Sequence, residues 1–502
     1  MLQSNKKRRR IPIAIRERLV CLAASMTLVF TAWSIGGYND WALHLLFLCA
    51  LLTFSFSIAP MPISWNGYDC RHGFSINIKR LLRLPFFWLG TIFLIYILIQ
   101  YLNPSVELVR GSEGWWVQSI SPPLGAGMPS SVKADYSEMN SFRALVIHAA
   151  AMLTVWGILV GIQRRKTVLV ILWSFVLSGT LMGFIAILQE FSSNKTWGTT
   201  QYILWSIESS NFYPWGTFMY RNQGAAFLIL TLIVAGALYF IYLRKNSVIY
   251  SQRSPHLLCY LIVFILGGSI WLALSRAGIF LGGVALLTFF ILALVNSFNK
   301  VLKGESKWVF LVFLVLGTGC GLLFSQFSNW ESLNKRLISL QSNIENIQSS
   351  DRFLTSKVTL EMASKRLIFG WGAGSFRYIF PIHQKNYDQL WYYYKHPTIG
   401  WVGRKEYHYA HNDWFQFLAE YGIIGSFIIF LLLLDLILRI IKGYKATYSG
   451  TIFIIVGVSV IFIHNIFDFI FSSPAYWVAF WGSMVLVSKL LSLEAMIHKK
   501  EV

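Results

Sequence analysis

Apolar runs of about 17–22 residues recur along this chain, separated by short polar stretches. A helix of about 20 residues rises ~30 Å, the thickness of a bilayer's hydrocarbon core. The pattern therefore predicts about twelve membrane spans. They fall near 19–37, 41–59, 84–102, 142–161, 167–188, 223–243, 257–274, 277–296, 308–325, 422–441, 450–470 and 474–491. The stretch 257–296 is almost continuously apolar and is interrupted only at Ser275-Arg276-Ala277-Gly278. About 40 helical residues would rise ~60 Å, twice the core, so two spans and a tight hairpin are expected there.

The polar positions set the orientation. Short loops on one side are basic: Arg71, Lys79, Arg80 and Arg83; Arg164, Arg165 and Lys166; Arg439, Lys442 and Lys445. By the positive-inside bias these loops and both termini are expected in the cytoplasm. Lys6-Lys7-Arg8-Arg9-Arg10 before an apolar run has the look of a signal peptide. That run is long, lacks a small-residue cleavage site and leads into further spans, so it reads as an uncleaved first helix. Three outside segments are expected, at 103–141, 189–222 and 326–411. A structureless loop as long as the last is unusual, so helices of its own are expected in it. Leu354, Val358 and Met362 recur at i, i+4 and predict an amphipathic helix lying on the membrane or on the bundle. Gly370-Trp371-Gly372-Ala373-Gly374 then predicts a tight turn. The expected architecture is an all-α polytopic membrane protein with a long helical periplasmic loop. Its parts are spans one to five (1–200), spans six to nine (201–325), the large loop (326–411) and three closing spans (412–502).

Composition agrees with a bilayer. Mean hydropathy is +0.55. Charged residues make up 13%, against about 25% in soluble domains. The net charge of +21 does not point to nucleic acid, because the basic residues sit in clusters between spans and no zinc-finger, recognition-helix or RNA-binding pattern accompanies them. The five cysteines, Cys21, Cys49, Cys70, Cys259 and Cys320, give no disulfide framework and no metal quartet.

Candidate chemistry gathers on the outer side. Arg221 precedes one span and Arg276 sits at the hairpin tip, both against the charge bias. Either they snorkel at helix ends, or they bind an anion such as phosphate with their planar fork of donors. His411 lies where the long loop meets a span. It can act as a general base, with Asp413 or Glu420 tuning it, or it is merely exposed beside Asn412 or Asp413 capping the next helix. His408 and His411 allow two metal ligands on one face, but a third and fourth are not evident, and no metal is expected. Trp391, Tyr392, Tyr393, Tyr394, Trp401, Tyr407, Tyr409 and Trp414 crowd the loop. Such rings stack on sugars or form an interfacial belt. His464 and Asp468, at i, i+4, are expected to pair or to face an outside cavity, and Asp435 lies deep in its span.

These motifs resemble one family. His411-Asn412-Asp413 followed by Gln416-Phe417-Leu418-Ala419-Glu420-Tyr421-Gly422-Ile423-Ile424-Gly425 is similar to the signature of O-antigen ligases and O-antigen polymerases. Gly370-Trp371-Gly372-Ala373-Gly374-Ser375-Phe376 resembles their glycine-rich turn, Ser275-Arg276-Ala277-Gly278 their Ser-Arg hairpin, and Arg221-Asn222 their Arg/Asn start of a span. His464-Asn465-Ile466-Phe467-Asp468 and Pro474 resemble their late-span motif. The resemblance covers roughly residues 215–480, while the loop 375–411 is longer and more aromatic than is typical.

The resemblance implies a GT-C-like, metal-independent, inverting glycosyltransferase without cofactor on the outer face of the inner membrane. It implies a polyprenyl diphosphate-linked glycan as donor and a lipid-linked sugar, such as lipopolysaccharide core, as acceptor. It implies His411 as general base, with Arg276 and Arg221 on the diphosphate. Asn222, Asn412, Asp413, Trp414, Trp391 and Arg377 are the expected substrate-binding residues. The motifs do not separate a ligase from a polymerase of O-antigen or exopolysaccharide repeat units. A glycan flippase or transporter is the non-enzyme alternative, but no internal repeat or central polar path supports it. A scaffold that binds cell-wall material would leave the arginines and His411 unexplained.

Overall fold

A single segment in lipid must close its backbone hydrogen bonds internally, and the apolar runs do so as helices. The computed structural model of the chain describes residues 14–60, 71–112, 114–192, 195–196, 199–201, 206–208, 214–245, 255–302, 350–396, 400–445 and 447–501. Among these, 10 helices are long and apolar enough to cross a membrane. They are α2 (Asp40–Ile58), α4 (Pro85–Leu102), α5 (Ser141–Gly161), α6 (Arg165–Ser192), α7 (Arg221–Lys245), α8 (Pro255–Leu272), α9 (Arg276–Leu302), α13 (Asp413–Lys442), α14 (Tyr448–Phe467) and α15 (Pro474–Glu501). The protein is a multi-pass membrane protein. The first expected span is α1 (Ile15–Thr31), a shorter helix of 17 residues. A basic helix, α3 (Arg71–Leu82), precedes α4. The expected span 308–325 lies outside the described residues, as do residues 303–349 in general.

Helix α7 is the hub of the bundle, with 94% of its apolar window buried. Small residues allow this. Gly236 of α7 takes the Phe453 ring of α14 where a Cβ would collide. Reciprocally, a Cβ on Gly457 of α14 would come within 2.7 Å of Ile233 on α7. Lipid supplies no hydrophobic drive between helices, so close backbone approach and van der Waals contact hold such a crossing.

At one end of the bundle the connections fold into a second apolar core. It joins Val106, Val132, Val358, Met362, Phe376, Phe380, Leu390 and Ala410. A three-stranded sheet contributes β1 (Pro104–Gly111), β2 (Gly114–Ser119) and β3 (Ser131–Lys133), in order β2-β1-β3. A small three-stranded sheet, β4 (Lys195–Thr196), β5 (Thr199–Gln201) and β6 (Ser206–Glu208), follows α6. The long loop supplies α10 (Asp351–Lys365), α11 (Phe376–Gln384), the single turn α12 (Asp388–Trp391) and the hairpin β7 (Tyr392–His396) with β8 (Gly400–Arg404). The expected amphipathic helix is α10. Its Val358 and Met362 are fully buried in this second core, so it rests on protein. The strands of the connections go beyond the purely helical expectation.

The long loop is fastened at a break in α13. Gly422 has φ 63° and ψ −170°, far from helical values. The break frees backbone groups on both sides, and residues 367–372 run alongside to meet them. Trp371 N donates to Ala419 O (2.8 Å) and Gly372 N to Glu420 O (2.9 Å), while Ile423 N donates to Leu367 O (2.8 Å). Tyr96 of α4 places its hydroxyl on both Phe369 O (2.7 Å) and Tyr421 O (2.8 Å). The Glu420 carboxylate accepts from Gly374 N (3.1 Å) and Phe376 N (3.2 Å), fixing the start of α11. Buried backbone groups left unpaired are costly, and here neighbouring protein satisfies them. A Cβ on Gly422 would strike the Ile368 carbonyl, and one on Gly370 the Glu420 carbonyl. Only glycine tolerates this backbone region. Gly422→Ala should therefore cost about 3 kcal/mol or more, read as lost monodisperse protein and a lower Tm after detergent extraction. Gly283→Ala, with nothing within 4 Å of the added Cβ, should extract like the wild type. Equal behaviour of the two variants would refute this account of the joint.

Candidate active site

Among the helices that begin at this same end of the bundle are α7 at Arg221, α9 at Arg276, α10 at Asp351 and α13 at Asp413. Short polar side chains cap three of them. Gly278 N donates to Ser275 Oγ (3.1 Å), Phe353 N to Ser350 Oγ (3.4 Å) and Phe415 N to Asn412 Oδ1 (3.1 Å). The residue ahead of two caps is left-handed without being glycine: Leu274 at φ 50° and His411 at φ 52°. That conformation costs on the order of 1–3 kcal/mol and persists only where the surroundings enforce it. The starts of α7 and α9 are side by side, since a Cβ on Gly278 would lie 2.8 Å from that of Ala225.

Asp468 joins these elements. It follows the end of α14 and is fully buried. Phe469 N donates to its Oδ1 (3.0 Å), and Asn222 Nδ2 donates to its Oδ2. The Tyr220 hydroxyl lies 3.4 Å from Oδ2 and Arg352 Nη2 3.7 Å from it. His411 Nδ1 is 3.6 Å from Oδ1, an ion-pair distance just longer than a hydrogen bond. Arg352 also donates to Phe467 O (3.1 Å). Burial pushes the Asp468 carboxyl up, but His411, Arg352 and His464 beside it outweigh this and hold it down at about 2. Burial, followed by the Asp468 charge, pushes the Tyr220 hydroxyl up, so it remains a neutral donor. Phe469 is sandwiched between Tyr220 (4.8 Å, 10°) and Tyr409 (4.7 Å, 10°), with the His411 ring edge-on at 4.8 Å. This stack fixes the plane of the histidine.

The charges carry a clear signal. A helix N-terminus is the positive end of its dipole, so a cation there is unfavourable. Yet Arg221 and Arg276 are the first residues of α7 and α9, and Arg352 is the second of α10. Three arginines on three positive ends at one end of a bundle make a field that favours an anion. Asp468 supplies one negative charge.

The expected site residues separate into groups. His411 and Asn222 meet on Asp468, with Arg221 at the next position, and Arg276 is exposed on the adjoining helix start. Asn412, Asp413 and Trp414 build the start of α13. Asn412 is its cap, Asp413 Oδ2 accepts from Phe471 N (2.7 Å), and Trp414 Nε1 donates to Phe462 O (3.1 Å). Arg377 donates to Glu138 O (2.5 Å) and lies 5.8 Å over the Tyr409 ring. Trp391 packs on Arg404 at 4.7 Å instead. The partner expected for His411 is corrected. Glu420 serves the glycine turn and Asp413 the Phe471 amide, so Asp468 takes that place. Asp468 lies past the end of α14, so it and His464 do not share a helix face, although His464 remains close enough to act on its charge. The His464 Nε2 is buried without a hydrogen-bond partner. Asp435, on α13, pairs with Arg439 at 2.6 Å. Among the described residues no three His, Cys, Asp or Glu side chains are placed to hold a metal ion, so His408 and His411 find no further ligands there. Arg352 and Phe469 were missed by sequence reasoning. A cation in the first turn of the expected amphipathic helix was the available sign for Arg352.

The family model of the O-antigen ligases matches residues 261–430. These residues form an O-antigen ligase family domain. The domain contains Arg276, Arg352, His411 and the Gly370–Gly422 joint, while Arg221, Asn222 and Asp468 complete the site from outside it. Its members are glycosyltransferase-like ligases and polymerases. No curated protein matches the chain. Within this domain, Asn412→Ala should lose about 1 kcal/mol through the missing cap, and Asn412→Ser should restore most of it. Thermal unfolding of the purified protein checks this. No difference between the two variants would remove Asn412 from the cap.

Proposed function

We propose that this protein transfers a glycan from a polyprenyl diphosphate to the hydroxyl of a lipid-linked sugar, as an O-antigen ligase does. One observation carries the reading: first-turn arginines stand on the positive ends of three helices at the end of the bundle that holds a histidine–aspartate pair, with Arg352 3.7 Å from Asp468, Arg221 next to its partner Asn222, and Arg276 on the adjoining start of α9. A diphosphate leaving group gains negative charge as it departs. Preorganised cations stabilise this growing charge more in the transition state than in the bound donor. Arg221 and Arg276 are assigned to the diphosphate.

His411 is assigned as general base. Its Nδ1 edge faces Asp468, which leaves Nε2 for the acceptor hydroxyl. Asp468 orients the ring and offsets the positive charge that forms on it. The acceptor oxygen attacks the anomeric carbon as its proton passes to His411. A new glycosidic bond forms, the carbon–oxygen bond to phosphate breaks, and the diphosphate keeps the electron pair. Attack opposite the leaving group inverts the anomeric centre. The positive-inside pattern supports a reading with both termini in the cytoplasm and this site on the outer face of the inner membrane. A polymerase acting on repeat units uses the same chemistry with another acceptor.

His411→Ala and Arg276→Ala should each lower transfer by about 10²–10⁴-fold at unchanged membrane abundance. Asp468→Asn should lower it by about 10–100-fold through loss of orientation. Full transfer in both alanine variants would exclude this mechanism. The lipid-linked glycans of a strain lacking the gene separate the two acceptors. Long polymer stranded on polyprenyl diphosphate, with bare acceptor, marks a ligase. Single repeat units without long chains mark a polymerase.

A further inference from the structure

A second concentration of aromatic and cationic groups lies on the folded connections. Arg404, at the end of β8, has its guanidinium 4.7 Å from the Trp391 ring centre and 5.5 Å from that of Trp115 on β2. Two indoles, one from the end of α12 and one from β2, thus pack on one guanidinium, yet Arg404 is exposed. Among the described residues no carboxylate pairs with it. When rings occupy a guanidinium's faces, its donors remain around the edge, in the plane. The antiparallel register sets Tyr392 opposite Arg404, so Tyr392 and Tyr394 share its face of the hairpin. Tyr394 is 53% exposed.

We propose that this surface binds an acidic saccharide, a sugar bearing a carboxylate or a phosphate. Aromatic faces receive the C–H faces of a sugar ring, and the outward fork of Arg404 pairs with the acid. Contacts connect the surface to the reaction centre. Trp115 meets Tyr378 edge-on at 6.3 Å, and the Tyr378 hydroxyl and Arg377 both donate to Glu138 O. Arg377 then overlies Tyr409, which stacks on Phe469 beside His411. A glycan held at Arg404 is therefore held on the same rigid assembly that positions the histidine. This deepens the transferase reading and rests on it for the link to catalysis. Binding itself is measurable without it.

The test is isothermal titration calorimetry on the purified full chain, with trigalacturonate as the acidic probe and maltotriose as the neutral one. Trigalacturonate should bind at least about tenfold more tightly than maltotriose, and its binding should weaken with salt. Arg404→Ala should lose about tenfold for trigalacturonate. If that variant has a lowered Tm, Arg404→Gln is read instead, since it keeps a planar group between the indoles and removes the charge. His411→Ala should bind like the wild type, so failure of the catalytic assignment leaves this result standing. Equal affinity for both probes, no binding of trigalacturonate, or wild-type affinity in the Arg404 variants would overturn the proposal. In steady-state transfer, a raised KM for acceptor or for donor in Arg404→Gln tells which glycan occupies the surface.

Discussion

The joint between the broken helix α13 and the glycine turn holds the functional end together. A helix interrupted at the start of its apolar run frees amide and carbonyl groups that need partners. Residues 367–372 satisfy them by running beside residues 419–424, with Tyr96 and Gln100 of α4 completing the set. Steric closeness makes the joint specific, because neither Gly370 nor Gly422 has room for a side chain. Glu420 then carries the order outward by fixing the first amides of α11. The long loop is thereby anchored to the bundle, and α10 brings Arg352 to Asp468.

Consecutive spans alternate in direction, so many helices start at one end of the bundle. Each N-terminus contributes partial positive charge, and three of these starts also carry arginine. Such a concentration is unfavourable without anions. Asp468 relieves part of it, and because it is buried its charge is felt at close range by Asn222, Arg352 and His411. The histidine is held by a strained backbone, an aromatic edge contact and a carboxylate, each from a different part of the chain. The proposed displacement of an anionic leaving group rests on this placement of a histidine beside a concentrated positive field.

Much of the fold was legible because the bilayer enforces a simple rule. The hairpin at Ser275–Gly278 separates α8 from α9 where the apolar run is interrupted, and Val358 and Met362 mark α10 by their spacing. The strands β1–β3 and the β7–β8 hairpin were not legible, since their aromatic and polar residues carry no clean alternation. The break at Gly422 was also hidden: the expected span begins at that residue, and nothing local marks a left-handed glycine inside a longer helix. In the site, His411, Arg221, Asn222 and Arg276 stand out as polar groups at span boundaries. Glu420 stands out equally, yet it is spent on backbone amides.

The sequence by itself determined the multi-pass helical architecture, since the length and apolarity of each run decide whether it can span a bilayer. It also determined which titratable groups gather at one end. Only the tertiary structure decided that Asp468, and neither Asp413 nor Glu420, faces His411. Neighbours in sequence point along a helix to places fixed by its pitch. A carboxylate beyond the end of another helix meets the histidine only when α7, α10, α13 and α14 pack together, and that packing depends on shape, which no local pattern records.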